Sequence, residues 1–160
     1  MRVHSIMDTS QKREKTMFTT IVAAVDGSEP SKHAIKAACD IASHYGAELH
    51  LVHTPQVDTT AVAVGAGTYV LEASFEQIAE AGRTVMAEAK TACESYGTEP
   101  KSTYIGSGIP ADEVLSVATA KDADLIVCGR RGLGNLAAIF LGSTSSKITH
   151  DATCAVLTVK

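Results

Sequence analysis

The chain is short of several things, and each shortage removes a class of protein. Nowhere does an apolar run approach the ~18 residues that a membrane-spanning helix needs. Basic residues are outnumbered: 14 Lys and Arg against 18 Asp and Glu leave a net charge of −4. That is the wrong sign for a protein that neutralises phosphates along a nucleic acid. The cysteines Cys39, Cys93, Cys128 and Cys154 form no Cys-x-x-Cys pair, so they are expected to be reduced, buried thiols acting as small hydrophobes. The histidines lack metal-ligand spacing. His50 and His53 stand three apart in an expected strand, point to opposite faces and cannot share an ion. The N-terminal stretch, with Lys12, Arg13, Glu14 and Lys15, has no apolar core of a secretory signal. The expected address is the cytoplasm.

What is present is concentrated near the C-terminus. Gly129-Arg130-Arg131-Gly132-Leu133-Gly134 is followed by an apolar stretch and then by Gly142-Ser143-Thr144. The first cluster follows Ala123-Asp124-Leu125-Ile126-Val127-Cys128, which has the length and composition of a buried strand. The second opens a segment over 143–150 suited to a turn or two of helix. Strand, glycine loop and helix start are a layout that holds phosphate, because glycines let the backbone approach an anion and helix N-terminal N–H groups point at it. The spacing is Gly-x2-Gly-x9-Gly-Ser. It is neither the dinucleotide Gly-x-Gly-x-x-Gly at a first strand nor a Walker loop.

The rest of the chain alternates strands and helices. Residues 20–25 form an apolar strand ending at Asp26-Gly27-Ser28, and a helix follows with Ser28 as N-cap, Pro30 in its first turn and Gly46 at its end. Residues 48–54 read as the second strand and 56–70 as an unusually apolar loop. A long helix over 71–96 has Phe75, Ile78, Ala79, Gly82, Val85, Met86, Ala89 and Cys93 along one side. Residues 101–105 make a short strand, Pro110 starts a helix through Ala120, 123–128 is the fourth strand and 154–159 the fifth. Five strands alternating with helices imply βαβ units in a parallel sheet, since each crossover needs a helix. Residues 1–17 are expected to be a flexible extension and 18–160 a single domain.

In this order and at these distances, the glycine motif, the opening strand Thr20-Ile21-Val22-Ala23-Ala24-Val25-Asp26-Gly27-Ser28, the segment Glu48-Leu49-His50-Leu51-Val52-His53 and the ending Cys154-Ala155-Val156-Leu157-Thr158-Val159-Lys160 resemble the ATP-binding branch of the universal stress protein family. The resemblance implies a Rossmann-like, adenine nucleotide alpha hydrolase-like α/β sheet of order 3-2-1-4-5 with helices on both faces. In an open parallel sheet, ligands bind beyond the strand C-termini where the strand order reverses. With that order, Asp26 and Gly129 face one crevice.

The resemblance further implies ATP as ligand, with or without magnesium. Asp26 is placed at the base and ribose, although the same residue can instead cap the Gly27-Ser28 turn. Val25 and Leu49 form an apolar wall for the base. Gly129 and Gly132 wrap the ribose and first phosphates, and Gly142, Ser143 and Thr144 hold the terminal phosphates. Of Arg130 and Arg131, adjacent and pointing differently, one screens phosphate charge or either is a solvated surface arginine. Leu136, Ala137, Ile139, Phe140 and Leu141 are expected to floor the loop.

No catalytic constellation is visible, because Asp26 is the only general-base candidate that the motif brings in. The expected role is a nucleotide-dependent regulatory homodimer. A slow ATPase, or a self-phosphorylating protein with Ser143 or Thr144 as acceptor, is the alternative. A receiver domain shares the five-strand layout but wants an acidic pair after strand one, where Asp26 stands alone, and an aspartate after strand three, where Ile105-Gly106-Ser107-Gly108 stands. The last strand, Ala155–Val159, is an apolar edge that soluble proteins seldom leave bare. The family pairs it with its copy in a second subunit.

Overall fold

Five strands and four helices come from the expected periodicities, and two further strands do not. The computed structural model describes residues 17–56, 60–64, 67–71, 74–132 and 141–160. Along the chain these form β1 (Thr20–Val25), α1 (Glu29–Tyr45), β2 (Glu48–His53), β3 (Thr60–Val64), β4 (Gly67–Leu71), α2 (Phe75–Ser95), β5 (Ser102–Ile105), α3 (Pro110–Ala120), β6 (Leu125–Gly129), α4 (Ser143–Asp151) and β7 (Ala155–Val159). The main sheet runs β5-β2-β1-β6-β7, and every neighbouring pair is parallel. Counted along this sheet alone, the order is 3-2-1-4-5.

Central strands covered on both faces must be apolar throughout, and β1 and β6 are: Ile21, Val22, Ala23, Ile126 and Val127 are wholly inaccessible. Alternation sends Ile21, Ala23 and Val25 to one layer with Leu49, Leu51, α1 and α2. Val22, Val52, Ile126 and Cys128 go to the other, with Val114 of α3 and Ile148 of α4. Each such side chain contributes about 1.5–3 kcal/mol on burial. The two strand histidines part as alternation requires. His50 Nδ1 meets Ser102 Oγ at 2.6 Å, and His53 Nδ1 donates to the Val25 carbonyl at 2.7 Å. All four cysteines are free thiols.

Helix ends follow local chemistry. Ser28 Oγ accepts from Ser31 N at the start of α1, and Gly46 closes it in the left-handed region at φ 65°. Lys147 bridges α4 to α3 through Asp112 at 3.3 Å while also pairing with Asp151 at 2.8 Å.

The structure corrects three expectations. The apolar loop over 56–70 contains the antiparallel pair β3 and β4, with Val62 opposite Tyr69. The reason is legible afterwards: Thr60, Val62 and Val64, like Thr68 and Val70, place β-branched residues at a period of two. Helix α2 starts at Phe75 instead of 71, because Leu71 belongs to β4 and Ser74 with Gln77 forms a reciprocal capping box. Phe75 consequently sits in the first turn and is 94% exposed, outside the buried stripe of Gly82, Met86, Ala89 and Cys93. The extension over 1–16, Gly134 and the loop floor over 136–140 lie outside the described residues.

Candidate functional site

The strands β2, β1 and β6 end side by side, and beyond them lies a cavity of about 460 Å³. Its floor is set by strand alternation. Ala24, Val52 and Cys128 all face the α3/α4 layer at the last turns of their strands, and Pro110 and Val114 of α3 form an apolar wall. Burial pushes the Cys128 thiol up from the ordinary 9.0 to about 11. It is therefore a neutral surface at physiological pH.

Asp26 closes β1 on this same face. Its Oδ1 accepts from Ser28 N at 2.9 Å and from Ser28 Oγ at 2.6 Å, and the Asp26 amide donates to Ser31 Oγ at 3.1 Å. The turn it caps needs glycine, since Gly27 has φ +80°. Capping occupies one carboxylate oxygen only. The other, Oδ2, points across the cleft: a Cβ placed on Gly132 would lie 2.6 Å from it. A Cβ on Gly142 would in turn lie 3.5 Å from Arg131 Cα and 3.7 Å from Gly132 N. Asp26, Gly132 and Gly142 are therefore in a row, although they span more than a hundred residues of sequence.

The cradle itself is fastened by backbone. Arg130 N donates to the Val159 carbonyl at 2.6 Å, while the Arg130 carbonyl accepts from Gly142 N at 2.9 Å and from Ser145 Oγ at 2.8 Å. These bonds tie the end of β6 to β7 and to the start of α4. Gly129 is closed in by backbone, where a Cβ would lie 3.0 Å from Arg131 O and from the Pro30 carbonyl carbon. At the mouth, α4 begins with Gly142 as N-cap and, among the described residues, no side chain caps it. Ser146 N makes the first helical bond, back to the Gly142 carbonyl at 2.9 Å. The amides before it, in Ser143 and Thr144, point their partial positive charge at the cavity that these residues line.

Of the residues expected from sequence, Val25, Asp26, Gly129, Gly132, Gly142, Ser143 and Thr144 line this one cavity. Val25 does so while its side chain stays in the core. Leu49 does not line it. It lies opposite Ile21 near the N-terminal end of β2, faces the α1/α2 layer and borders a separate shallow depression with Glu48 and Lys101. Parallel strands put the crevice at the other end, roughly 13 Å further along at ~3.3 Å per residue. Arg130 does not line the cavity either: its backbone holds the loop, and Arg131 is the arginine in the cavity wall. Ser31, Thr54, Gln56, Pro110, Val114, Cys128 and Ser145 were missed by sequence reasoning. Thr54 had a signal, because it stands two residues after Val52 and alternation gives both the same face. Pro110 and Val114 had none before the helix was docked.

The site therefore lies at the topological switch point of an open doubly wound α/β sheet, where a glycine turn meets a helix start that no described side chain caps. The comparisons narrow this further. The model of the universal stress protein family matches residues 17–160, and the chain belongs to that family. It is 35% identical over 150 residues to the Bacillus subtilis universal stress protein YxiE, covering 90% of this chain and 100% of that one. It is 36% identical over 146 residues to a universal stress protein of Thermus aquaticus, with the same coverage of each. Solved structures share the fold. A universal stress protein in complex with cAMP superposes with TM-score 0.65 at 24% identity, covering 89% of this chain and 97% of its own. The Archaeoglobus fulgidus universal stress protein in complex with dAMP gives 0.64 at 23%, covering 90% and 99%. A family protein from Arabidopsis thaliana with AMP bound gives 0.58 at 21%, covering 89% and 91%.

Proposed function

We propose that this chain is an adenine-nucleotide-binding regulatory protein of the cytoplasm, that its ligand is ATP, and that it acts as a homodimer whose state depends on nucleotide occupancy. One observation carries the reading: Asp26, Gly132 and the start of α4, which no described side chain caps, face a single cavity. The donor chemistry suits a nucleotide in sequence along that cavity. Ser143 and Thr144 would hold phosphate through backbone N–H and hydroxyl groups, with Arg131 beside them. Asp26 Oδ2 accepts from a sugar hydroxyl, and the apolar slot of Ala24, Val52, Cys128 and Val114 receives the base. The nucleotides in the complexed family structures support the class of ligand. ATP over AMP rests on the Gly-x2-Gly-x9-Gly-Ser spacing, and a bound magnesium ion would add charge screening there.

The homodimer rests on β7. It is an edge of the sheet, Ala155 is exposed and Val156 to Val159 are only half-buried. An edge of this kind pairs readily with a second copy. Sedimentation should give a mass near twice the 16.7 kDa of one chain. A single-chain mass at micromolar concentration would overturn the dimer.

The ligand is tested by denaturing protein purified from cells and identifying what it releases by mass spectrometry. An adenine nucleotide at near-stoichiometric amount is the expected result. Another class of molecule released in its place would refute the assignment.

A further inference from the structure

Thr54 is 6% exposed, lines the cavity, and among the described residues its Oγ1 has no hydrogen-bond partner. The other buried hydroxyls of the wall are committed: Ser31 Oγ accepts from the Asp26 amide at 3.1 Å, and Ser145 Oγ donates to the Arg130 carbonyl at 2.8 Å. Leaving a buried hydroxyl unpaired is costly, so such groups in a ligand cavity mark where a polar ligand atom completes the pair. The position says which part of the ligand arrives there. Phosphate belongs at the start of α4, beside β6, and Asp26 stands on β1. Thr54 follows β2, the next strand over. At ~4.8 Å per strand it is roughly 10 Å from the β6 end, about the span from a phosphate across a ribose to a base. Between these points the cavity floor is apolar, made by Ala24, Val52 and Cys128.

We infer that the Thr54 hydroxyl is a specificity-determining group that hydrogen-bonds the polar edge of a purine base lying on this apolar floor. The inference rests on the nucleotide-binding reading and deepens it. A hydroxyl oxygen accepts from an exocyclic amine, so it favours a base with that amine over one that carries only C–H at that position.

Two ligands and three proteins test it by titration calorimetry. Wild type, Thr54→Val and Thr54→Ser are each titrated with ATP and with purine riboside 5′-triphosphate, which lacks the exocyclic amine. Thr54→Val should weaken ATP about 2- to 12-fold, the range for one neutral hydrogen bond, and leave the analogue unchanged. Thr54→Ser should bind ATP as wild type does. The nucleotide-free Thr54→Val protein should melt higher, by roughly 2–4 °C for each kcal/mol of relieved penalty. A merely structural threonine would show the melting change without the loss of affinity, and that result overturns the inference. So does an equal loss for both ligands, which would place the hydroxyl on another part of the nucleotide. If Thr54→Val fails to fold, wild type alone decides, since equal affinity for ATP and the analogue refutes base-edge pairing. A wild-type protein that binds neither ligand removes the nucleotide reading itself.

Discussion

Gly132→Ala is the perturbation that most directly interrogates the contact between the two halves of the site. The added methyl would lie 2.6 Å from Asp26 Oδ2, well inside van der Waals contact. The carboxylate cannot simply turn away. Its Oδ1 is held by Ser28 N at 2.9 Å and Ser28 Oγ at 2.6 Å, and bonds to a charged acceptor are worth about 1.5–3 kcal/mol each. Displacing the exposed Gly132 backbone is the cheaper response, and overpacking of this kind costs about 1–3 kcal/mol. At about 2–4 °C per kcal/mol for a domain of this size, a clear drop in melting temperature is expected. The diagnostic is the double-mutant cycle with Asp26→Ala, which deletes the obstructing oxygen. In that background Gly132→Ala should cost less than about 0.5 kcal/mol, leaving a coupling of about 1 kcal/mol or more in urea unfolding. Additive costs would show that the two residues do not touch, and the shared cleft would go with that contact.

Gly142→Val should leave the chain folded, because a Cβ there meets its nearest atom at an ordinary 3.5 Å. It should lose about 1 kcal/mol of helix capping and most of its ATP affinity; retained affinity in calorimetry would contradict the cradle. Gly82→Ala gains about 1 kcal/mol of helix propensity, yet its Cβ would lie 2.6 Å from Pro55 Cγ. Overpacking of about 1–3 kcal/mol should win, so a variant stabilised against urea would contradict the packing of α2 on the end of β2. The Cys128 thiol gives a pH dependence. Folded, it keeps its proton to about 11 against an ordinary 9.0, so the native state binds more protons between those values. Its contribution is constant below pH 9 and falls as pH rises through 11, by roughly 2.7 kcal/mol at most. The urea midpoint of Cys128→Ala should decline less steeply over pH 9–10.5 than that of wild type, and parallel profiles would contradict the thiol's burial.

The sheet was legible because its strands are buried on both faces and read as continuous apolar runs, as in Thr20–Val25. The family resemblance supplied the strand order. Asp26 and the glycines were legible because a close backbone approach leaves few residue choices. Leu49 misled for a physical reason: an apolar strand residue carries no mark of which end of its strand it occupies, and only the parallel register fixes that. Arg130 and Arg131 could not be separated, since the choice depends on which backbone groups bind Val159 and Gly142. The β3–β4 pair was hidden by small residues, whose alternation is weak beside the glycines around it. Thr54 was available in principle from the period of two beyond Val52, but its unpaired hydroxyl emerges only once neighbours are placed.

Equilibrium dialysis of radiolabelled ATP against nucleotide-free protein is the most direct measure of the central claim. One saturable site per chain, abolished by Gly142→Val in a protein that still unfolds cooperatively, is the expected result. Wild-type protein of the same cooperativity that retains no ATP across the membrane at millimolar concentration would contradict it.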